Sequence, residues 1–141
     1  MNIRQFSLKY GLSLDTLRFY ERRKILIPDR LSNGYRSYGD LHEQKVKLII
    51  CLKTIGFSLE EIKQLIELET KPPSETCNDI SNQLIDNKIE IIDQQIALLE
   101  YGKNTLHDVK KYIEDNSFVK NRDIISDIIE KLYHITKSTY K

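Results

Sequence analysis

Ile85, Ile92, Leu99, Leu106 and Ile113 recur every seven residues, with Ile89 and Ile96 at the intermediate positions. A stripe with that period runs along one side of an α-helix and has to be covered by a partner helix. The stretch 75–116 carries it without a Pro, and no other segment of the chain matches it in length. The stripe therefore predicts a coiled coil with a second copy, a homodimer. Beyond Leu99 the intermediate positions become Lys103 and Lys110, which narrows the seam. Lys71-Pro72-Pro73 separates this helix from what precedes it, and Ser74 is placed to cap it, so residues 71–74 read as a linker. In 117–141, Ile124, Ile125, Ile128, Ile129, Leu132 and Ile135 mark a shorter amphipathic helix.

Residues 1–70 are patterned differently. Ile3, Phe6, Leu8 and Leu12 surround a short helix that Gly11 ends, and Ser13 caps a second helix over 13–23. Two helices joined at a tight turn form a helix-turn-helix. Asn33-Gly34 follows, the sequence signal of a type I′ hairpin turn, and a hairpin in that place is a wing. Helices are predicted over 41–55 and 59–69, the latter opened by the capping box Ser58-Leu59-Glu60-Glu61. The expected fold is all-α with a small β-wing: a winged helix-turn-helix followed by a long coiled-coil dimerisation helix.

The charge is divided along the same line. Residues 1–56 hold 11 Lys/Arg and 5 Asp/Glu, whereas the remaining 85 hold 11 and 16. A basic first part points to a polyanion as its partner. No apolar run approaches a membrane span, and no basic segment followed by an apolar stretch opens the chain, so we expect no membrane association and a cytoplasmic, nucleoid-associated protein. Two cysteines 26 positions apart supply neither a disulfide framework nor a zinc cluster. Without a nucleophile–base motif or a Gly-rich phosphate loop, no enzyme is expected.

Leu17-Arg18-Phe19-Tyr20-Glu21, then Asn33-Gly34-Tyr35-Arg36, then Gly56-Phe57-Ser58-Leu59-Glu60-Glu61-Ile62 together resemble the DNA-binding domain of the MerR family of bacterial transcription regulators. The likeness covers residues 1–70 with almost no gaps and extends in outline over the chain. It implies a dimer on a pseudo-palindromic operator in double-stranded promoter DNA, acting on RNA polymerase by distorting the promoter spacer in response to a signal. The alternative is a DNA-architectural or excisionase-like accessory protein. The long helix and the helix after it favour the regulator.

On the residues themselves, Arg18 and Arg22 lie four apart on the second helix, with Thr16 and Tyr20 on nearby turns expected to be exposed, although Tyr20 also falls at helical spacing with Leu14 and Leu17. Arg grips guanine edges or phosphates with two bonds, and Tyr offers a hydroxyl to phosphate. Arg30, Asn33, Tyr35 and Arg36 belong to the wing, and Lys45, Lys47 and Lys53 extend the basic surface on the third helix. Phe19 is read as core. Lys24 stands where the family usually has Gly, a position suited to a left-handed helix end.

The metal-sensing branches of the family carry thiols in a loop after the long helix. Tyr112 stands at the first such position, and Asn116-Ser117-Phe118-Val119 holds no Cys or His, so no metal and no cofactor are expected. Cys77, at the start of the long helix, is the candidate sensor thiol because a helix N-terminus favours thiolate. Cys51, inside Leu48-Ile49-Ile50-Cys51-Leu52, is expected in the core. His42, His107 and His134 read as surface residues. A ligand site between the last helix and the dimer helix, floored by Ile124, Ile128 or Tyr133, would be apolar.

Overall fold

The computed structural model describes residues 1–114 and 118–139, without the side chains of Cys77, Ser138 and Thr139. The order is α1 (Ile3–Tyr10), α2 (Leu14–Arg22), β1 (Asp29–Arg30), β2 (Arg36–Ser37), α3 (Asp40–Thr54), α4 (Leu59–Thr70), α5 (Glu75–Ile113) and α6 (Arg122–Thr139). The chain forms two compact units, Met1–Ile85 and Asp86–Lys141, which divide within α5. The expected helix end at Asn116 lies outside the described residues.

In the first unit the helices begin where side chains meet orphan amides. Asn2 and Gln5 form a capping box on α1, Ser13 accepts from the Thr16 amide, and Ser58 and Glu61 cap α4 reciprocally. The buried residues Phe6, Leu17, Tyr20, Ile25, Leu26, Tyr38, Val46, Ile49, Phe57, Ile62 and Ile66 form one core. Phe6 stacks on Tyr38 at 4.3 Å between centroids. Lys9 and Tyr10 both bond the Glu43 carboxylate, tying α1 to α3. Leu8 and Leu41, by contrast, are exposed.

The end of α2 decides where the wing starts. The Ile25 amide bonds the Tyr20 carbonyl at 2.9 Å and the Lys24 amide bonds the Glu21 carbonyl at 3.0 Å. This is the paired closure of a Schellman motif. It needs a left-handed residue, and Lys24 supplies it at φ +58°, the one non-glycine with positive φ among the described residues. The substitution seen in the sequence is thus absorbed as backbone strain. Lys24→Gly should stabilise the protein by about 1 kcal/mol, a rise of roughly 4–8 °C in Tm for a unit of this size. A thermal melt showing no rise would refute the strain.

The wing differs from expectation in its turn. Asp29 pairs with Ser37 and Arg30 with Arg36, antiparallel. The Gly34 amide bonds the Leu31 carbonyl at 2.8 Å and the Leu31 amide bonds the Tyr35 carbonyl at 2.9 Å, so three residues make the loop. Only Gly34 has positive φ there, at +82°, and Asn33 does not. A type I′ turn needs both residues left-handed. The loop is instead a turn closed by a left-handed glycine.

In the second unit α6 folds along α5. Ile125 is buried, and the Asn121 side-chain amide bonds the Tyr112 carbonyl at 3.4 Å. Leu98, Gly102, Thr105, Val109 and Tyr112 form the less exposed face of α5. The seven-residue stripe is on other positions and stands largely open: Leu99 is 72% exposed and Leu106 68%.

Candidate nucleic-acid interface

The candidate recognition residues come from α2, whose core-facing positions are Leu17 and Tyr20. Arg18, Phe19 and Arg22 are left on the exposed side. Arg18 donates to Asp15 at 3.1 Å, an i,i+3 pair on an open surface that lends little to stability. Arg22 lies over the Phe19 ring at 6.0 Å. Thr16 is half-buried, with its hydroxyl 2.8 Å from that of Ser13, so it also serves the start of the helix.

Two of the sequence expectations change here. Tyr20 is only 2% exposed, and burial pushes its hydroxyl above the usual tyrosine range. It is a core residue, not one on an exposed turn. Phe19, read as core, is 36% exposed. Tyr20 stands three residues after Leu17 on the same face of α2 and so turns into the core, whereas Phe19, rotated about 100° from it, turns outward.

The wing residues converge on Glu21. Its carboxylate accepts from Arg36 Nε at 2.6 Å and from Arg30 Nη2 at 2.5 Å. Arg30 Nη1 also reaches the Gly34 carbonyl at 3.1 Å. Partial burial alone would raise the Glu21 pKa, but the bonds from Arg36 and Arg30 outweigh it and hold the carboxyl below its ordinary range. Asn33 accepts the Tyr35 amide at 3.1 Å and shapes the loop, leaving Tyr35 71% exposed. Lys53 is exposed near the end of α3, on a different element. Sequence reasoning assigns Glu21 no role. The signal that could have found it is the hairpin register: two arginines directly opposite each other repel unless an anion sits between them.

A helix-turn-helix with this wing now meets its relatives. A family model described as MerR HTH family regulatory protein matches residues 1–69, and one described as MerR, DNA binding matches 43–109. The HTH-type transcriptional regulator CueR of Yersinia pestis is 34% identical over 97 residues, 68% of either chain. The chain belongs to the MerR family of helix-turn-helix regulators. As a MerR-family protein it is a DNA-binding transcriptional regulator and not an enzyme. Two solved MerR-family structures share the fold. One is a transcriptional regulator from Listeria monocytogenes (TM-score 0.68, 21% identity, 93% of this chain and 98% of that one). The other is HiNmlR, described as lacking the sensor domain and bound to promoter DNA (TM-score 0.64, 24% identity, 91% and 94%).

Elsewhere in this MerR-family chain the sensor expectations are revised. Cys51 is exposed rather than in the core. Within its apolar run Ile49 is fully buried while Leu48 is 39% exposed, because each residue on α3 is rotated about 100° from the last. The Cys77 side chain lies outside the described residues; its backbone is in the first turn of α5. His42 is structural: Nδ1 accepts the Gly39 amide at 3.0 Å and Nε2 lies 2.9 Å from the Ile27 carbonyl. A groove of about 310 Å³ between α5 and α6 is lined by Ile128, one of the three residues expected at its floor, together with Tyr101, Asn104, Thr105, Asp108 and Lys131. Ile124 and Tyr133 are exposed. Among the described residues no three His, Cys, Asp or Glu side chains gather to hold a metal, and no helix is long and apolar enough to cross a membrane.

Proposed function

We propose that this regulator works as a homodimer joined through α5, with one α2 and one wing on each half of a pseudo-palindromic operator in double-stranded promoter DNA. The observation that carries this reading is a chain that combines a winged helix-turn-helix bearing Arg18, Arg22, Tyr35 and Arg36 with an α5 whose apolar stripe stands largely open. Thr16, Arg30 and Asn33 support the helix and the wing that carry those residues, and Lys53 adds an exposed cation on α3. HiNmlR, a structural relative, was solved on promoter DNA, which supports the same partner here.

Binding on two half-sites lets a dimer bend or untwist the DNA between them at a cost set by the sequence deformed. That is how we infer it alters the work of RNA polymerase. The signal we assign is neither a metal held by a full thiolate set nor a resident cofactor; if a thiol senses it, that thiol is Cys77. Its place in the first turn of α5 supports this, since orphan amides there favour thiolate. The exposure of Cys51 makes it the competitor.

The test selects binding sites from a random duplex pool and transcribes a template carrying the best site with purified RNA polymerase. A two-fold symmetric site and a change in transcript level are expected. Bending without any change in transcript would favour an architectural accessory protein instead. Cys77→Ser is expected to abolish any response to thiol-reactive agents. A full response in that variant, lost in Cys51→Ser, would move the sensor to Cys51.

A further inference from the structure

We infer that Glu21 is a positioning residue for DNA binding, dividing the two wing arginines into a clamp, Arg30, and a phosphate-presenting group, Arg36. This rests on the DNA-binding reading above and goes beyond it.

A guanidinium has two usable edges, one made by Nε with a neighbouring Nη, the other by the Nη pair. Arg30 spends its Nη pair inside the protein, one nitrogen on Glu21 at 2.5 Å and the other on the Gly34 carbonyl at 3.1 Å. It closes the hairpin onto α2. Arg36 is held at Nε, 2.6 Å from the other Glu21 oxygen. Among the described residues its Nη pair has no partner, so the edge that binds phosphate bidentately remains open. One carboxylate thus fixes the strand pair to α2 and fixes the plane of the Arg36 fork. Tyr35, next to it and 71% exposed, faces solvent from the same hairpin.

Charge and position predict opposite signs, which makes the idea testable. Removing a carboxylate near a polyanion strengthens binding on Coulomb grounds alone. If Glu21 positions Arg36, Glu21→Gln weakens it, because a Gln amide accepts from one guanidinium and presents N–H to the other. The full-length protein and the selected duplex serve for the measurement, with affinity followed against salt. Wild-type binding is measured first; failure at that point removes the DNA-binding reading and this inference together.

Given wild-type binding, Glu21→Gln is expected to lose about 3- to 10-fold in affinity. Arg36→Ala is expected to flatten the plot of log K against log salt by about 0.9 for each phosphate that the wing ceases to neutralise. Arg30→Ala is expected to lower affinity with the salt slope unchanged. Arg36→Lys keeps the charge and so the slope, yet loses affinity, and adding Glu21→Gln to it costs less than in the wild-type background, only the share that loosens Arg30. Melting curves on each variant identify unfolding, and the slope, read on the folded fraction, is unmoved by a purely structural role. Tighter binding by Glu21→Gln, or equal slope changes in Arg30→Ala and Arg36→Ala, overturns the inference.

Discussion

Ile92→Asp combined with Leu99→Asp should convert the protein to monomers and cut its affinity for a two-half-site operator by at least about 100-fold. The first effect follows from the stripe. Leu99 is 72% exposed in the single chain, and the positions on either side of it in the seven-residue pattern are Ile92 and Leu106. An Asp at two adjacent seam positions leaves a carboxylate to be buried without a partner, which no coiled coil tolerates cheaply. The second effect follows from linkage. In a dimer the second half-site is bound at a high effective concentration, and breaking that connection forfeits roughly 10²- to 10⁴-fold. Sedimentation velocity gives the mass, and a half-site duplex serves as control, since its affinity should change little. A double variant that stays dimeric and keeps its operator affinity would place the interface elsewhere.

Arg18→Ala should weaken binding to the selected operator by about 1–3 kcal/mol, roughly 5- to 150-fold, and relax base preference at the position it reads. Arg18 is the exposed arginine in the middle of α2, tied among the described residues only to the exposed Asp15. Its removal therefore takes little from folding. The comparison that decides is against duplexes of unrelated sequence. If Arg18 reads a base edge, affinity for the operator falls more than affinity for those duplexes. An equal fall for both would make it a phosphate contact, and no fall at all would remove it from the interface.

The elements themselves are legible in the sequence because local rules and the long-range pattern agree. Ser13, Ser58 and Glu61 cap the helices they are expected to cap, and the break at Pro72-Pro73 separates α4 from α5. The left-handed helix end at Lys24 is suggested only by the family resemblance, in which Gly usually stands there, because Lys carries no such signal of its own. What escapes does so for different reasons. Tyr20 is misplaced when its hydroxyl is read towards phosphate, although its spacing of three from Leu17 already puts it on the inward face of α2. Asn33-Gly34 is compatible with two loop lengths, and the pairing of Arg30 with Arg36 selects the longer one. Cys51 is misplaced when an apolar run of five is read as a buried block, although a helix sends such a run around most of its circumference. Glu21 stays hidden because its partners are 9 and 15 residues away, and a carboxylate between two arginines is visible only after the hairpin has a register.

The anchoring of Arg36 has a further consequence. A free arginine on a surface loop swings to meet whatever phosphate is near, and gives up rotamer freedom on each encounter. One whose fork is already clamped has surrendered that freedom during folding, before any DNA arrives. On the proposed binding mode it would fit a backbone only where the phosphate falls at the right height relative to a major groove holding α2. On that mode the wing would then act as a ruler of groove width, favouring stretches of duplex whose shape suits the fixed spacing between helix and hairpin.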